Sequence, residues 1–479
     1  MTSTFPDTPP TRPADHAEWI VAPATPAGTG AIAVVRLDGP GCWEAASRVW
    51  RSTRSVPPQA RRLTRGQVLD VNGSVLDDAL LAWFPAPHSY TGNDLVEFQC
   101  HGSPAVVAGL IEALCAAGAR LARPGEFTER AFFNGQLDLA QAEAVANLIA
   151  SRTREASRVA LSQLEGALSR EVNTVREGLI DLAAEIEARL DFPEEEIETA
   201  DRLRLLGAFE TARKNIERLL ATARRGRLFR DGARVVLAGR PNTGKSSLLN
   251  ALVGMERALV TPHPGTTRDT IEATVDILGI PIVLIDTAGV RHEGVEEIES
   301  LGIERTLREV RGADLVLLVL DASSPLTAED RALVGLLGEA PLLVVTNKCD
   351  LAPEGHNRRG WAQELGLSGT DESVSVCALD PDTLRPLEAA VARLLMGQGG
   401  PEGLTEAESA TVTNLRHAER LRGAAEALGC ARAAFEADQS GEFVMVDLNE
   451  ALQALSEILG LSVDEAVLSR IFSRFCIGK

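Results

Sequence analysis

The chain has 479 residues, 45% of them hydrophobic, 24% charged and 4% aromatic, a length that predicts about three domains, each able to bury its own core. Forty-eight Lys and Arg stand against 68 Asp and Glu, a formal net charge of −20, so most of the surface repels nucleic acid and any contact with RNA needs a local basic patch or a basic partner. No run of about 18 apolar residues is present to span a membrane. The seven cysteines are odd in number, scattered and without a C-x-x-C pair, which argues against a disulfide framework or zinc site and for a reducing cytoplasm.

Residues 1–19 lack the basic start and apolar run of a secretion signal and read as a disordered leader. Residues 20–127 mix short β-rich runs (AIAVVRL, ALLAWF, DLVEFQC) with Gly and Pro and one helical stretch at 106–119, the pattern of a small α/β or α+β domain. Within it Arg51, Arg54, Arg61, Arg62 and Arg65 form a basic stretch without acids, a solvated face or a guide for nucleic acid.

From 128 to 228 the pattern turns helical. Leu179, Leu182, Ala183, Ile186 and Leu190 recur at three- and four-residue steps, as do Leu206, Phe209, Ala212, Ile216, Leu219 and Leu220. The acidic run DFPEEEIE at 191–198 reads as a solvated turn between these two helices. Helical character returns over 398–479, with Leu448, Leu452, Leu455 and Leu459 on one face and a capping-box signal at Ser462 and Glu465. Two helical stretches around a different middle predict one discontinuous helical domain with an insertion.

The insertion, 229–397, alternates strands (ARVVLA, ADLVLLVL, PLLVVT) with helical stretches, as a mostly parallel, doubly covered sheet requires. TVDI-LG-IPIVLI at 274–285 reads as an antiparallel edge hairpin turning at Leu278-Gly279. Gly239 to Ser247 read GRPNTGKSS, a G-x4-G-K-S loop between a strand and a helix. Its glycines let backbone N–H groups face a phosphate, with Asn242, Thr243, Gly244 and Ser247 in the loop, Lys245 reaching the terminal phosphates and Ser246 able to ligate Mg²⁺. Three more segments follow in the order of a GTPase. In GTTRD, Thr267, next to the nucleotide-binding Thr266, offers a hydroxyl to Mg²⁺ and the γ-phosphate, and Asp286, Thr287, Ala288 and Gly289 make a D-x-x-G turn. Asn347, Lys348 and Asp350 make N-K-x-D, in which Asp350 accepts from guanine N1–H and its amino group, a pairing adenine does not offer. Cys377 and Ala378 then back the base, Cys377 standing where Ser is more usual. Val290 follows the D-x-x-G turn and cannot orient water, so a further residue must, and another positive charge must stand for an arginine finger.

These boxes, with TPAGTGAIAVVRL, SYTGNDLVEFQCHG, RPGEFTERAFFNGQLDLAQAEAVANLI and the terminal FCIGK, resemble the MnmE/TrmE family of tRNA-modifying GTPases over nearly all of 20–479. The resemblance implies a multidomain α/β and α architecture: an N-terminal α+β tetrahydrofolate-binding and dimerisation domain, a discontinuous helical domain and an inserted Ras-like P-loop G domain. It implies a cytoplasmic homodimer that works with the flavoprotein MnmG (GidA), which carries the FAD, in a heterotetramer. The family adds an aminomethyl-type group, typically carboxymethylaminomethyl, to C5 of the wobble uridine of certain tRNAs, using a one-carbon unit from methylene-tetrahydrofolate. Hydrolysis accompanies a K⁺-promoted dimerisation of G domains. Carried over residue by residue, K⁺ falls to Asn242, Thr261, His263 through its backbone, and Thr266. The water-positioning glutamate falls to Glu299, with Glu296 and Glu297 as neighbours. Folate contacts fall to Arg36, Glu97 and Lys479, with Gln136 where the family commonly has a basic residue, and Cys476 is the family's C-terminal cysteine. The other six cysteines read as buried small residues. A GTPase switch for ribosome assembly is the alternative. Such proteins usually append a Lys- and Arg-rich RNA-binding domain, which this acidic chain lacks.

Overall fold

The computed structural model describes residues 13–53, 58–191, 199–254, 271–286, 309–338, 340–352, 361–367, 373–397 and 410–479. Two compact units divide them: one drawn from Met1–Ala146, Gln163–Glu217 and Glu419–Lys479, the other from Asn147–Ser162 and Arg218–Ala418.

In the first unit, period-two alternation builds a seven-stranded sheet from β1 (Ile20–Pro23), β2 (Ile32–Asp38), β3 (Trp50–Ser52), β4 (Thr64–Leu69), β5 (Val75–Phe84), β6 (Leu95–His101) and β7 (Arg120–Leu121). Their order is β3-β4-β5-β6-β2-β1-β7. Only the β1–β7 pair is parallel. Val35, Leu37, Leu81, Val96 and Phe98 pack on one face beneath helices Trp43–Val49 and Pro104–Ala116. The opposite face keeps Arg36 and Glu97 half-exposed.

Residues 13–19, assigned to a disordered leader from sequence, are packed instead. His16 is buried with its ring 5.2 Å from that of Phe133, and Asp15 pairs with Arg123 at 3.0 Å. The polar composition of this segment hides ion pairs that only the fold supplies.

The helical part of this unit lays Ala167–Asp191 along Gly441–Leu459, so the two stretches on either side of the insertion do meet. Leu179, Leu182, Ala183 and Ile186 are buried, and Arg176 Nε donates to Ser456 Oγ at 3.1 Å. On helix Thr199–Ala221 the buried stripe is Leu205, Phe209, Ala212, Ile216 and Leu219. Leu206 and Leu220 sit beside it, half-buried, because the four-residue step starts one position earlier than read. Residues 192–198, including most of the acidic run, lie outside the described residues. Helix Glu465–Phe472 is capped by Asp464, whose carboxylate accepts from Ala466 N at 2.9 Å, and not by Ser462. An Asp next to the first turn outcompetes a Ser two residues further out.

The second unit holds a six-stranded sheet of β8 (Ala233–Ala238), β9 (Ile271–Ile277), β10 (Ile280–Asp286), β11 (Leu315–Asp321), β12 (Leu342–Asn347) and β13 (Ser373–Ser375). Their order is β13-β12-β11-β8-β10-β9. All pairs are parallel except the β9–β10 edge hairpin, turned at Leu278 (φ 50°) and Gly279 (φ 88°). Left-handed geometry at both turn residues is that of a type I′ hairpin. Strands β8, β11 and β12 bury both faces, Leu237 and Leu317 on one side and Val236 and Leu318 on the other. Helix Arg154–Leu164 contributes Ala156 and Val159 to this core, and Thr153 Oγ1 donates to Gly279 O at 2.7 Å. Its first turns therefore belong with the sheet of the insertion, whereas helical periodicity alone groups them with 128–228.

Candidate functional site

The phosphate loop leaves β8 and enters helix Lys245–Gly254. Gly244 has φ 90°, and a Cβ there would stand 2.3 Å from Asn347 Nδ2, so glycine is required twice over. Asn242 also adopts a left-handed conformation, φ 65°, which Asn tolerates better than most residues. Lys245 is 4% exposed, and its Nζ donates to the carbonyls of Gly239 at 2.8 Å and Arg240 at 2.7 Å. Ser246 Oγ donates to Asp286 Oδ2 at 2.6 Å, which joins a hydroxyl at the helix start to a buried carboxylate at the end of β10. Two hard oxygen donors set together fit a Mg²⁺ ion.

The segment after β12 is fastened to the same loop. Asn347 Nδ2 donates to Thr243 O at 3.0 Å, and Lys348 Nζ to Asn242 O at 2.7 Å and Asp321 Oδ2 at 2.6 Å. Burial pushes the Asp321 carboxyl upward, but hydrogen bonds from Lys348 and Ser323 hold it below the ordinary carboxylate range. Asp350 is exposed beside them. Ala378 N donates to Asn347 Oδ1 at 3.3 Å, and the buried Cys377 donates its N–H to Thr383 Oγ1 at 2.9 Å. Asn242, Thr243, Gly244, Lys245, Ser246, Asp286, Asn347, Lys348, Asp350, Cys377 and Ala378 thus gather around the C-terminal ends of β8, β10 and β12, where an open α/β sheet binds its ligand. Ser247 is exposed in the first turn of the following helix. Thr261, His263, Thr266, Thr267, Thr287, Ala288, Gly289, Val290 and Glu299, with Glu296 and Glu297, lie outside the described residues.

A second cluster occupies the first unit. Arg36 and Glu97 face each other across β2 and β6, joined Nε to Oε1 at 2.8 Å, with the guanidinium 5.5 Å from the Tyr90 ring centre. Arg36 Nη1 is buried and has no hydrogen-bond partner among the described residues, a donor left for a ligand. Burial and the Arg36 charge lower the Lys479 pKa, while Glu97 and Cys476 raise it, so the C-terminal ammonium shares this site. The tail is held by Gly478, φ 92°, whose place a Cβ could not take without standing 2.1 Å from Pro23 O. Cys476 O accepts from Gly125 N at 3.4 Å, and its thiol-bearing side chain is exposed. Gln136 lies against Gly92, and no hydrogen bond or ion pair joins it to Arg36, Glu97 or Lys479 among the described residues. A carboxylate, an unsatisfied guanidinium and an aromatic face suit a flat ring with an amide edge and an anionic tail.

Other expectations need correcting. Only Cys42, Cys100 and Cys377 of the remaining six cysteines are buried. Cys115 and Cys349 are half-buried and Cys430 is exposed. The basic stretch is not free of acids in space, because Arg65 Nε reaches Asp78 at 3.1 Å across β4 and β5. Arg61 and Arg62 donate to His88 O and Gln59 Oε1, and Arg54 lies outside the described residues. Sequence reasoning gave no role to Tyr90 or Arg240, although both stand in quoted motifs, and missed Asp321 and Asp330, which stand in none. Among the described residues no group of three or more His, Cys, Asp or Glu is placed to hold a metal, and no helix is long and apolar enough to cross a membrane.

Comparison with known proteins gives the family. The family model described as "MnmE helical domain" matches residues 139–476, and that described as "GTP-binding protein TrmE N-terminus" matches 19–136. The chain is 44% identical over 467 residues to the tRNA modification GTPase MnmE of Chloroflexus aurantiacus, covering 96% of this chain and 100% of that one. It is 46% identical to that of Thermus thermophilus, covering 96% and 98%, and 42% identical to that of Aquifex aeolicus, covering 96% and 100%. With both family models matched in sequence order and the relatives matched from end to end, this chain belongs to the MnmE/TrmE family of tRNA modification GTPases.

Proposed function

We propose that the chain is a K⁺-stimulated GTPase that acts with the flavoprotein MnmG on tRNA. It would add a carboxymethylaminomethyl or aminomethyl group to C5 of the wobble uridine, using a tetrahydrofolate one-carbon unit. The observation that carries this reading is that one chain of the family holds two built sites. One has Lys245, Ser246 and Asp286 together, and the other has Arg36, Glu97 and Lys479 together.

In the first site Lys245 binds the terminal phosphates, Ser246 and Thr267 would hold Mg²⁺, and Asp350 selects guanine. Asn242, Thr261, the His263 backbone and Thr266 would hold K⁺, which supplies the positive charge of an arginine finger. Glu299 orients the water that Val290 cannot. In the second site Glu97 accepts from the amino edge of the pterin of 5-formyl- or methylene-tetrahydrofolate, and Arg36 and Lys479 meet its anionic tail. G-domain dimerisation accompanies hydrolysis within a cytoplasmic homodimer, and the acidic surface leaves most tRNA contacts to the flavoprotein.

Mass spectrometry of tRNA nucleosides from a deletion strain tests the reading. Loss of the C5-modified wobble uridine is expected. Intact modification with stalled ribosomal subunit assembly would instead establish an assembly switch. Turnover that is equal in NaCl and KCl would remove the alkali-metal part of the proposal.

A further inference from the structure

Arg240 is one of the four unspecified positions of the G-x4-G-K-S loop, yet its backbone carbonyl is where the loop's polar groups converge. It accepts from Lys245 Nζ at 2.7 Å and from Thr243 Oγ1 at 3.0 Å. The side chain of the same residue leaves the loop and meets Asp330, Nε to Oδ1, at 2.8 Å. Asp330 is a poor candidate for a casual surface pair, since its side chain is 2% exposed.

Its other oxygen is already committed. Oδ2 accepts from Thr327 N at 2.9 Å and Thr327 Oγ1 at 2.8 Å, closing the capping box of helix Ala328–Leu337. With Oδ2 held at a helix start, the carboxylate cannot turn, and Oδ1 presents a fixed acceptor to Arg240. On its other flank the loop is held by Asn347 at Thr243 O and by Lys348 at Asn242 O. The loop is therefore gripped from two sides by groups that have no role in touching phosphate.

We propose that the Arg240–Asp330 pair is a positioning clamp, which fixes the carbonyl of Arg240 and through it the ammonium of Lys245 where the terminal phosphates of a guanine nucleotide arrive. Preset donors avoid reorganisation when the ligand binds, and displacements of about 1 Å in such groups cost up to about a hundred-fold. The inference rests on the loop being the nucleotide site.

The test titrates N-methylanthraniloyl-GDP against the full chain. Arg240→Gln raises its Kd by on the order of ten-fold or more, while preference for guanine over xanthine nucleotide stays as in the wild type, because the Asp350 side is untouched. Arg240→Lys, whose ammonium can reach Asp330, recovers most of the affinity. The double variant Arg240→Gln/Asp330→Asn binds no more weakly than the weaker single variant, the non-additivity expected of residues acting as a pair. Arg234→Gln, which removes an ion pair to Glu309 at the far end of β8, leaves Kd unchanged. Should Arg240→Gln not fold, Asp330→Glu keeps the charge, moves it by one methylene and reads the same displacement as a raised Kd. A wild-type Kd in Arg240→Gln, or losses that multiply in the double variant, overturns the clamp. Lys245→Ala is the separate control: if it leaves Kd unchanged, the loop is not the nucleotide site and the inference falls for that reason.

Discussion

Replacing Gly478 with Ala asks whether the C-terminal tail makes the second site. The residue has φ 92°, and a Cβ there would stand 2.1 Å from Pro23 O, 2.9 Å from Pro23 C and 3.1 Å from Ala24 Cα. All three atoms are backbone at the end of β1 and cannot give way as a flexible side chain would. The left-handed conformation alone costs a residue with a Cβ about 1–2 kcal/mol, before any overlap. With those backbone atoms fixed, the cheaper response is for residues 478–479 to leave their seat. The ammonium of Lys479 then departs from Arg36 and Glu97 while the sheet beneath stays folded. The expected result by calorimetry is a loss of at least about ten-fold in affinity for 5-formyl-tetrahydrofolate, since about 1.4 kcal/mol already corresponds to that factor. Melting temperature and GTP turnover should hardly move. The same tail gives a pH signature. Burial and Arg36 lower the Lys479 pKa from its ordinary 10.5, so as pH rises the charge that attracts an anionic tail is lost earlier than from a solvated lysine. Affinity in the wild type should therefore fall on the alkaline side, and in Gly478→Ala this fall should be absent. Undiminished binding by Gly478→Ala would refute the role given to the tail.

Two further outcomes follow from buried charges and base recognition. Arg130 is fully buried, with Nη1 2.9 Å from Asp38 Oδ1, so Arg130→Met takes the buried counter-charge from Asp38, while Glu126 keeps Arg120 at 2.6 Å, and should destabilise the fold by about 3–5 kcal/mol. Burial already raises the Asp38 pKa, so the folded state takes up a proton there more readily than the unfolded state. Losing Arg130 raises it further, so the deficit in urea unfolding should be smaller at about pH 5.5 than at about pH 7.5, and an equal deficit at both would count against the assignment. Asp350→Asn should weaken GTP by on the order of a hundred-fold or more and favour the xanthine nucleotide, measured by competition; an unchanged preference would place guanine recognition elsewhere.

The proposed nucleotide site was legible because phosphate and guanine chemistry demand particular residue types at short spacings. Gly244, Lys245, Ser246, Asp286, Asn347 and Asp350 all stand in motifs, and the strand-to-helix context was visible in the apolar runs around them. The edge hairpin was equally clear, since Leu278-Gly279 between two β-branched runs leaves few other turns. The assignment of Arg36 and Glu97 to one folate site came from family resemblance. Nothing in either strand alone states the register that puts them opposite each other. Arg240–Asp330 and Arg65–Asp78 were hidden for the same reason, because an ion pair between distant segments leaves no local pattern.

Domain membership failed in a more instructive way. A helical stripe says that one face is buried and leaves open which core receives it. Ala142 and Val145 pack with Phe132, Leu468 and Phe472, whereas Ala156 and Val159, only a few turns later in the same helical stretch, pack with Val275, Ile277 and Ile280 of the edge hairpin. Both segments show the same three- and four-residue spacing, so no periodicity measure separates them. What separates them is the core each one enters, and at the hairpin the contact is fixed by the hydrogen bond from Thr153 Oγ1 to Gly279 O at 2.7 Å. Composition marks where an insertion begins in sequence. Which neighbouring helix the insertion takes with it is decided by apolar contacts and turn hydrogen bonds that join distant segments.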